Sequence, residues 1–301
     1  MPTKRSPRVQ RALRLASGTA LCLAASFGMG MPIPFLRYYA FSGVLLIGLC
    51  LLMVFRYGQR GGNNLVVTFL VIGLTMIPAA GVADFGLAAT VIKALTSGLL
   101  LAILIGRLSH WLFPEPDNAP TPPPAPALSA ENVDRVALRA TLIVMPTFLL
   151  ALIDPASYMP IVLKAVSLGQ QSSTTNARDA ARELIGSTLL GGLLAILFWT
   201  ALTLFVHLWM FFLWMLLFTL IIARKLYGLS PGRFSPGFWL NTLVTLIILL
   251  GQSVQDSLAG KDVYTAFAVR MGLFIAVTLY ACLMVYLLEQ RQSAGSTVIT
   301  E

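Results

Sequence analysis

Long apolar runs, separated by short polar segments, fill most of this chain of 301 residues. Several of them approach the roughly 20 residues that an α-helix needs to cross a hydrocarbon core about 30 Å thick. The pattern predicts an all-α polytopic membrane protein with about ten transmembrane helices. The predicted spans are Leu15–Met31, Tyr39–Phe55, Leu65–Ala83, Phe85–Ile105, Ala140–Ile153, Tyr158–Gly169, Leu184–Phe205, Leu208–Ala223, Phe238–Ser253 and Met271–Leu288. The boundaries near Asp154 and Phe205 stay open, because the runs beside them are shorter than a full span.

The composition supports this prediction, since 57% of the residues are hydrophobic and only 11% are charged. An ordinary soluble domain is about 25% charged. The three cysteines, Cys22, Cys50 and Cys282, lie within apolar runs and have no spacing typical of a metal site or a disulfide framework. We interpret them as packing residues.

A proline-rich segment, "FPEPDNAPTPPPAPALSA", divides the chain into two halves. Its composition favours an extended polyproline II conformation without a core of its own. We predict an N-terminal membrane half at 1–113 with about four spans, a cytoplasmic linker at 114–130, a C-terminal membrane half at 131–290 with about six spans, and a polar tail at 291–301.

Two short sequence echoes relate the halves. "RALR" at 11–14 and "RVALR" at 135–139 each open an apolar helix. In addition, an acidic residue precedes a basic one by eight or nine positions near the last span of each half. Internal repeats are common in transporters, with the substrate path at the repeat interface, and these echoes favour a parallel repeat. The alternative is chance similarity between apolar helices.

The basic residues predict the orientation, because short cytoplasmic loops retain Lys and Arg. With the N-terminus inside and an even number of spans, 16 of the 21 basic residues are cytoplasmic: Lys4, Arg5, Arg8, Arg11, Arg14, Arg56, Arg60, Arg107, Arg135, Arg139, Arg178, Arg182, Arg224, Lys225, Arg233 and Arg291. We therefore place both termini in the cytoplasm. The net charge of +9 follows from this topology and does not indicate a nucleic-acid partner. The basic N-terminus also resembles a signal peptide, but cleavage would leave nine spans, so we interpret the first span as retained.

The stretch "RELIGSTLLGGLLAILF" at 182–198 contains glycines with the spacing of a phosphate-binding loop. Such a loop needs Lys and a hydroxyl residue after its last glycine, and Gly192 and Leu193 follow Gly191 here, so the nucleotide interpretation fails. Ser187, Gly191 and Ala195 repeat instead at four-residue spacing, which predicts a smooth helix face for close packing. Thr188 and Gly192 widen that face.

The same stretch resembles a signature of the fusaric acid resistance and aromatic acid exporter (FUSC-like) superfamily of bacterial inner-membrane proteins. In that superfamily an "R-x-x-G-T-x-x-G" element starts the third of six helices in each half. Arg182, Gly186, Thr188 and Gly191 match it, with one extra residue after the arginine and Ser187 inserted. "DVYTAFAVRMGLFIAV" and "RLSHWLFPEP" resemble further parts of the superfamily. This chain has a shorter first half, no second such element and no large cytosolic domain, like the compact two-half members.

The resemblance implies an inner-membrane efflux component that exports anionic aromatic or related weak-acid compounds. It also implies a periplasmic adaptor of the membrane-fusion type, and we expect a homo-oligomer in the lipid bilayer. No nucleotide motif is present, so we expect the proton gradient to supply the energy and no cofactor to be needed. The alternative is a non-transporting membrane scaffold or assembly factor that keeps only the packing motif. No catalytic set appears in the spans, so we expect no enzyme.

Ionisable residues at membrane depth usually mark a pathway or a paired structural site. Three basic residues, Lys164, Lys93 and Arg270, are candidates for an anion path. Lys93 and Arg270 could instead snorkel to the headgroups, whereas Lys164 lies nearer the middle of its short span. The candidate counter-charges and proton carriers are Asp84, Asp154 and Asp262.

The remaining candidate for the substrate path is Trp214, which could stack on an aromatic compound or simply face lipid. The other tryptophans lie near predicted interfaces and are typical of an aromatic belt. His110 and His207 stand alone at span ends, so we predict no metal site.

Overall fold

A computed structural model describes residues 32–113, 130–171, 177–229 and 234–296. All regular secondary structure in these ranges is helical. The ten helices are α1 (Pro32–Tyr38), α2 (Ala40–Gln59), α3 (Asn64–Ala83), α4 (Phe85–Leu112), α5 (Ala130–Ile153), α6 (Pro155–Gln171), α7 (Ala177–Leu204), α8 (Leu208–Leu226), α9 (Pro236–Leu258) and α10 (Val263–Ser296).

Eight of these helices are long and apolar enough to cross a membrane, namely all except α1 and α6. The prediction of an all-α polytopic membrane protein is therefore confirmed. Each of the eight carries one predicted span. The predicted span Tyr158–Gly169 lies on α6, which has 17 residues, and the predicted span Leu15–Met31 lies outside the described residues.

The boundaries of the predicted halves fall partly outside the described ranges. Of the proline-rich linker, only Ala130 is described, and it is the first residue of α5. The predicted polar tail begins within α10, which runs to Ser296. The charged segment "RVALR" is helical as well, so α5 begins ten residues before the predicted span at Ala140–Ile153.

Glycines at two helix ends show why the chain turns where it does. Gly61 follows α2 with a φ of 89°, and Gly260 follows α9 with a φ of 68°. In both cases the amide of the next residue donates to a carbonyl five residues earlier, as in the turn from Lys261 N to Asp256 O at 3.0 Å. Only glycine adopts this left-handed conformation without strain, so these positions end the helices.

The described chain forms two compact units. The first comprises the described parts of residues 1–138 and 148–156, and α3 contacts α1, α2 and α4 within it. Ile47, Leu51 and Phe55 line the buried face of α2 at four-residue spacing. An ion pair joins Arg56 Nε to Asp134 Oδ1 at 2.8 Å, and because both side chains are well exposed it contributes at most about 1 kcal/mol.

The second unit comprises residues 139–147 and the described part of 157–301. Helix α7 contacts α8, α9 and α10, and α9 also contacts α8 and α10. The Tyr280 hydroxyl on α10 donates to the Leu142 carbonyl at 3.1 Å. On α6, a Cβ placed on Gly169 would lie 3.4 Å from the Ala140 carbonyl oxygen, so α6 packs closely on the central turns of α5. This unit contains the candidate site.

Candidate functional site

Lys164 on α6 is the most deeply buried cation among the described residues, with 0% of its side chain exposed. Its ammonium donates to Asn241 Oδ1 at 2.9 Å and to the Thr245 hydroxyl at 2.6 Å, both on α9. Asn241 and Thr245 are four residues apart and so lie on one helix face, which places two acceptors one turn apart in front of the lysine. The site therefore links α6 to α9 through a charged group inside the second unit.

A chain of hydrogen bonds continues from Asn241 to α7. The Asn241 amide nitrogen donates to the Ser187 hydroxyl at 2.5 Å, and Ser187 donates to the Leu184 carbonyl at 3.1 Å. Thr245 donates to the Asn241 carbonyl one turn earlier, at 2.7 Å. Both hydroxyl protons are directed to backbone carbonyls, so both hydroxyl oxygens are free to accept. The Asn241 amide oxygen and the Thr245 hydroxyl are thus oriented to receive the Lys164 ammonium, and the Ser187 hydroxyl is oriented to receive the Asn241 amide.

The positive charge of Lys164 has no acidic partner among the described residues. Its recorded contacts are the two neutral acceptors on α9. An ammonium group has three N–H donors, so one donor remains after these two bonds. A buried charge is costly unless it is paired, and a charge within a membrane usually faces a partner or a water-filled cavity. Among the described residues, the buried ammonium group is therefore held by neutral acceptors alone.

The predicted small-residue face of α7 lies against α9 and α10. A Cβ added to Gly191 would lie 2.7 Å from Thr245 Cβ and 2.8 Å from the Thr242 carbonyl oxygen. A Cβ added to Gly192 would lie 2.5 Å from the Met271 sulfur on α10. The Thr242 backbone leaves no room for a side chain at Gly191, so glycine there lets α9 approach closely enough for Asn241 to reach α7, whereas at Gly192 the flexible Met271 side chain could move aside.

The other members of the predicted motif lie around this contact. Ser187 and Thr188 are buried, as is Ala195. The Thr188 hydroxyl donates to the Leu184 carbonyl and lies 3.4 Å from the Thr278 hydroxyl on α10. A Cβ on Gly186 would lie 3.2 Å from the Phe238 ring. Arg182 is exposed near the start of α7, away from the buried network.

Arg270 on α10 forms a bidentate ion pair with Asp256 near the end of α9. One of the two bonds joins Nη2 to Oδ1 at 2.8 Å, and the other joins Nη1 to Oδ2. The side chains of Arg270 and Asp256 are 16% and 5% exposed. Arg270 is therefore neutralised by a residue that the sequence analysis did not single out, and it lies apart from the Lys164 network.

Two of the predicted counter-charges lie at helix N-termini. Asp84 accepts the Leu87 amide at 2.9 Å at the start of α4. Asp262 precedes α10, where hydrogen bonds from the Thr265 hydroxyl and from the Thr265 and Tyr264 amides lower the pKa of its carboxyl group. Such capping satisfies amides that have no partner within the helix.

None of the hydrogen bonds described above for the Lys164 network involves the remaining predicted residues. Asp154 is half-buried between α5 and α6. Lys93 is exposed on α4 in the first unit. Trp214 on α8 stacks edge-on against Phe218 with ring centroids 6.3 Å apart, and its indole nitrogen is buried without a hydrogen-bond partner among the described residues. Within the described ranges, no group of three His, Cys, Asp or Glu side chains could hold a metal ion.

Sequence reasoning missed Asn241, Thr245 and Asp256. The signal was present for the first two, because "NTLVT" at 241–245 places polar residues one turn apart within an apolar run. Polar side chains in a membrane helix tend to face other helices, where they find hydrogen-bond partners. Asp256 was overlooked because Asp262 lies nearer to Arg270 along the chain.

Comparison with known protein families gives one match. Residues 33–109 match the family DUF2955, described as a protein of unknown function, and no FUSC family matches. No curated protein and no solved structure matches the chain. The matched segment begins in α1 and ends in α4, so it lies in the first unit and does not include the Lys164 network. Because the function of that family is unknown, the match carries no information on the activity of this membrane protein.

Proposed function

We propose that this protein is a bacterial inner-membrane transporter component that exports anionic aromatic or related weak-acid compounds. The observation that carries the proposal is Lys164, a buried ammonium group that contacts only neutral acceptors among the described residues. A charge at membrane depth costs about 2.5 to 3.5 kcal/mol on the more lenient insertion scale. An anionic substrate would offset that cost whenever it is bound, which gives the buried lysine a function.

The preference for aromatic acids comes from the resemblance of the Arg182–Gly191 stretch to FUSC-like exporters. The same resemblance is the basis for a periplasmic adaptor and for a homo-oligomer in the inner membrane. The proton gradient is proposed as the energy source because the glycine-rich stretch lacks the lysine and hydroxyl of a nucleotide-binding loop. The cytoplasmic location of both termini rests on the distribution of basic residues.

The test replaces Lys164 with Met, which keeps the length and apolar packing and removes the charge. We expect Lys164→Met to accumulate like the wild type but to lose resistance to aromatic acids in cells, and to lose benzoate efflux from reconstituted vesicles. Lys164→Arg should retain part of both activities because the charge remains. Lys93→Met is the matched control, since it removes an exposed lysine from the first unit. Full protection by Lys164→Met at equal abundance would remove the main support for the anion path.

A scaffold or assembly factor is the second candidate, and the fully buried network favours it. Lys164, Asn241 and Ser187 connect three helices in a manner that would serve to fix their packing. A scaffold role predicts that Lys164→Met lowers abundance or oligomer size and that the wild-type protein moves no benzoate in vesicles. Measuring abundance and efflux on the same preparations separates the two candidates.

A further inference from the structure

The turn between α7 and α8 is apolar, although it connects two helices that are long enough to cross a membrane. It reads "LFVHLW" over residues 204–209, and all six residues are exposed. Val206 is 77% exposed and Leu208 is 85% exposed. We call residues 204–209 the α7–α8 turn. An exposed apolar surface of this kind marks contact with a partner or with a membrane.

The turn between α9 and α10 has the opposite chemistry. It reads "AGKD" over residues 259–262, and all four residues are exposed. Gly186 on α7 lies against Phe238 on α9, and further along both helices Gly191 lies against Thr245. Helices α7 and α9 are therefore parallel, so both turns lie at the same end of the second unit. Water solvates the charged turn well and the apolar turn poorly.

The length of α8 limits how far the α7–α8 turn can reach. Residues 184–223 contain no Asp, Glu, Lys or Arg, and Arg224 and Lys225 end the apolar part of α8. From Leu208 to Ala223 the helix rises by about 24 Å, which is less than the hydrocarbon core of about 30 Å. Any tilt of α8 shortens this reach. With Arg224 at the headgroups of one leaflet, the turn therefore lies below the headgroups of the other leaflet.

The backbone of the turn suits that depth, because polar backbone groups in lipid need partners within the chain. The Phe205 amide donates to the Leu202 carbonyl at 3.1 Å, and the His207 amide donates to the Phe205 carbonyl at 2.9 Å. The Phe211 amide donates to the His207 carbonyl at 3.0 Å, which begins the hydrogen bonding of α8. The chain thus reverses within a few residues and needs no polar loop.

Two side chains of the turn fit the boundary between acyl chains and headgroups. His207 and Trp209 are exposed, and each combines a ring that can lie beside acyl chains with a polar nitrogen that can reach headgroups or water. Tryptophan is enriched at this boundary. The first amides of a helix have no partner within it, so those of α8 also need this polar layer nearby. These features place the turn at a shallow depth.

We propose that the α7–α8 turn is immersed in the lipid bilayer just inside the headgroups, and that acyl chains cover its apolar side chains. The surface continues along α8, where Phe212, Leu216 and Leu220 are exposed on the following turns. Such a surface on a membrane helix faces acyl chains, so the turn extends the contact between α8 and lipid. This inference concerns the position of the protein in the membrane and does not depend on the proposed anion transport.

A water-soluble protein partner fits the turn less well. Interfaces between proteins surround an apolar centre with a polar rim. Residues 184–223 offer no charged side chain for such a rim. Acyl chains require no polar rim, and they are present wherever the protein is inserted.

The test measures the surroundings of a nitroxide spin label in vesicles of phosphatidylethanolamine and phosphatidylglycerol. The full-length protein carries Cys22→Ala, Cys50→Ala and Cys282→Ala, so Val206→Cys supplies the only thiol for labelling. Oxygen dissolves among acyl chains, whereas a polar nickel chelate, present on both sides of the membrane, stays in water. We expect frequent collisions of the label with oxygen and infrequent collisions with nickel at position 206.

The matched control is Ala259→Cys in the same background, on the charged turn at the same end of the unit. We expect the ratio of oxygen to nickel collisions to be about tenfold higher at position 206 than at position 259, because burying a polar chelate among acyl chains is costly. Leu208→Cys covers the case in which Val206→Cys lowers abundance. Equal ratios would place the apolar turn in water. Infrequent collisions with both reagents and an immobile label would show that protein covers the turn, and either result would overturn the proposal.

Discussion

Helices α7 and α4 both repeat small residues at four-residue spacing but have different surroundings in the structure. The residues are Ser187, Gly191 and Ala195 on α7 and Ala94, Gly98 and Ala102 on α4. On α7, Gly191 lies so close to Thr242 and Thr245 that a single added carbon would collide with them. On α4, Gly98 and Gly106 have open space on the side where a side chain would project, as far as the described residues extend. A four-residue repeat of small residues thus predicts the capacity for close packing, and the tertiary structure determines whether another helix uses it.

The two units differ in the same way in their charged residues. In the second unit, Lys164 is buried in a hydrogen-bond network and Asp256 is paired with Arg270. In the first unit, Lys93 is exposed and Asp84 caps a helix end. The second unit therefore places charge between helices, where it is costly unless it is bound or paired. This difference is the reason for assigning the candidate site to the second unit.

The largest expected loss of stability, and the clearest contrast between the two units, comes from replacing one aspartate in each unit. Asp256→Ala leaves the Arg270 guanidinium largely buried without its carboxylate, which should lower the free energy of unfolding by about 3 to 5 kcal/mol. Asp84→Ala removes one capping hydrogen bond and should cost about 0.5 to 2 kcal/mol. Unfolding by SDS in mixed micelles measures both. The double variant Asp256→Ala, Arg270→Met should recover most of the loss, and equal losses for the two single variants would contradict the contrast.

A smaller effect is expected for the two glycine faces. Gly191→Ala places a methyl group against the Thr242 carbonyl and Thr245, and such overpacking should cost about 1 to 3 kcal/mol. Gly106→Ala fills space that no described residue occupies, so it should gain up to about 1 kcal/mol from helix propensity. Gly191→Leu should weaken assembly further than Gly191→Ala, because its side chain is larger. Thermal unfolding and oligomer size in detergent measure these effects, and a stable, normally assembled Gly191→Leu protein would refute close packing at this face.

Much of the fold was predictable from hydrophobic patterning. Eight predicted spans lie on eight long helices, because a run of about 20 apolar residues has few alternatives to a transmembrane helix. The extra charged turns at the start of α5 were missed because they extend beyond the apolar run. Helical hydrogen bonding continues into polar sequence, and hydropathy does not detect that extension.

The candidate site was predictable only in part. Lys164 was singled out because a charge in a short apolar run is unusual, and that reasoning needs only the local sequence. Its partners Asn241 and Thr245 are 77 and 81 residues away along the chain. Which helices are neighbours depends on tertiary packing that a single sequence does not contain. The Arg270–Asp256 pair was missed for a different reason, because the sequence analysis considered the nearer Asp262, whereas the turn after α9 brings Asp256 to Arg270.

The smallest expected effect concerns Lys164 and its hydrogen bonds. A double-mutant cycle with Lys164→Met and Asn241→Leu measures their coupling, because it subtracts what each substitution does by itself. We expect a coupling of about 0.6 kcal/mol and at most about 1.7 kcal/mol, the average and the maximum found for hydrogen bonds between membrane helices. The value is modest because a lysine in a separated helix still reaches water or headgroups by snorkelling, so the unfolded state also satisfies the ammonium.

Lys93→Met supplies the comparison in the first unit. Lys93 is exposed, so its replacement should change the free energy of unfolding by less than about 0.5 kcal/mol. Lys164→Met alone should leave the fold intact or make it more stable, since it removes a buried charge, whereas Asn241→Leu alone strands that charge and should destabilise the protein. If Asn241→Leu costs the same with Met at position 164 as with Lys, the two residues are not coupled. The buried lysine would then differ from Lys93 in position but not in energetic role.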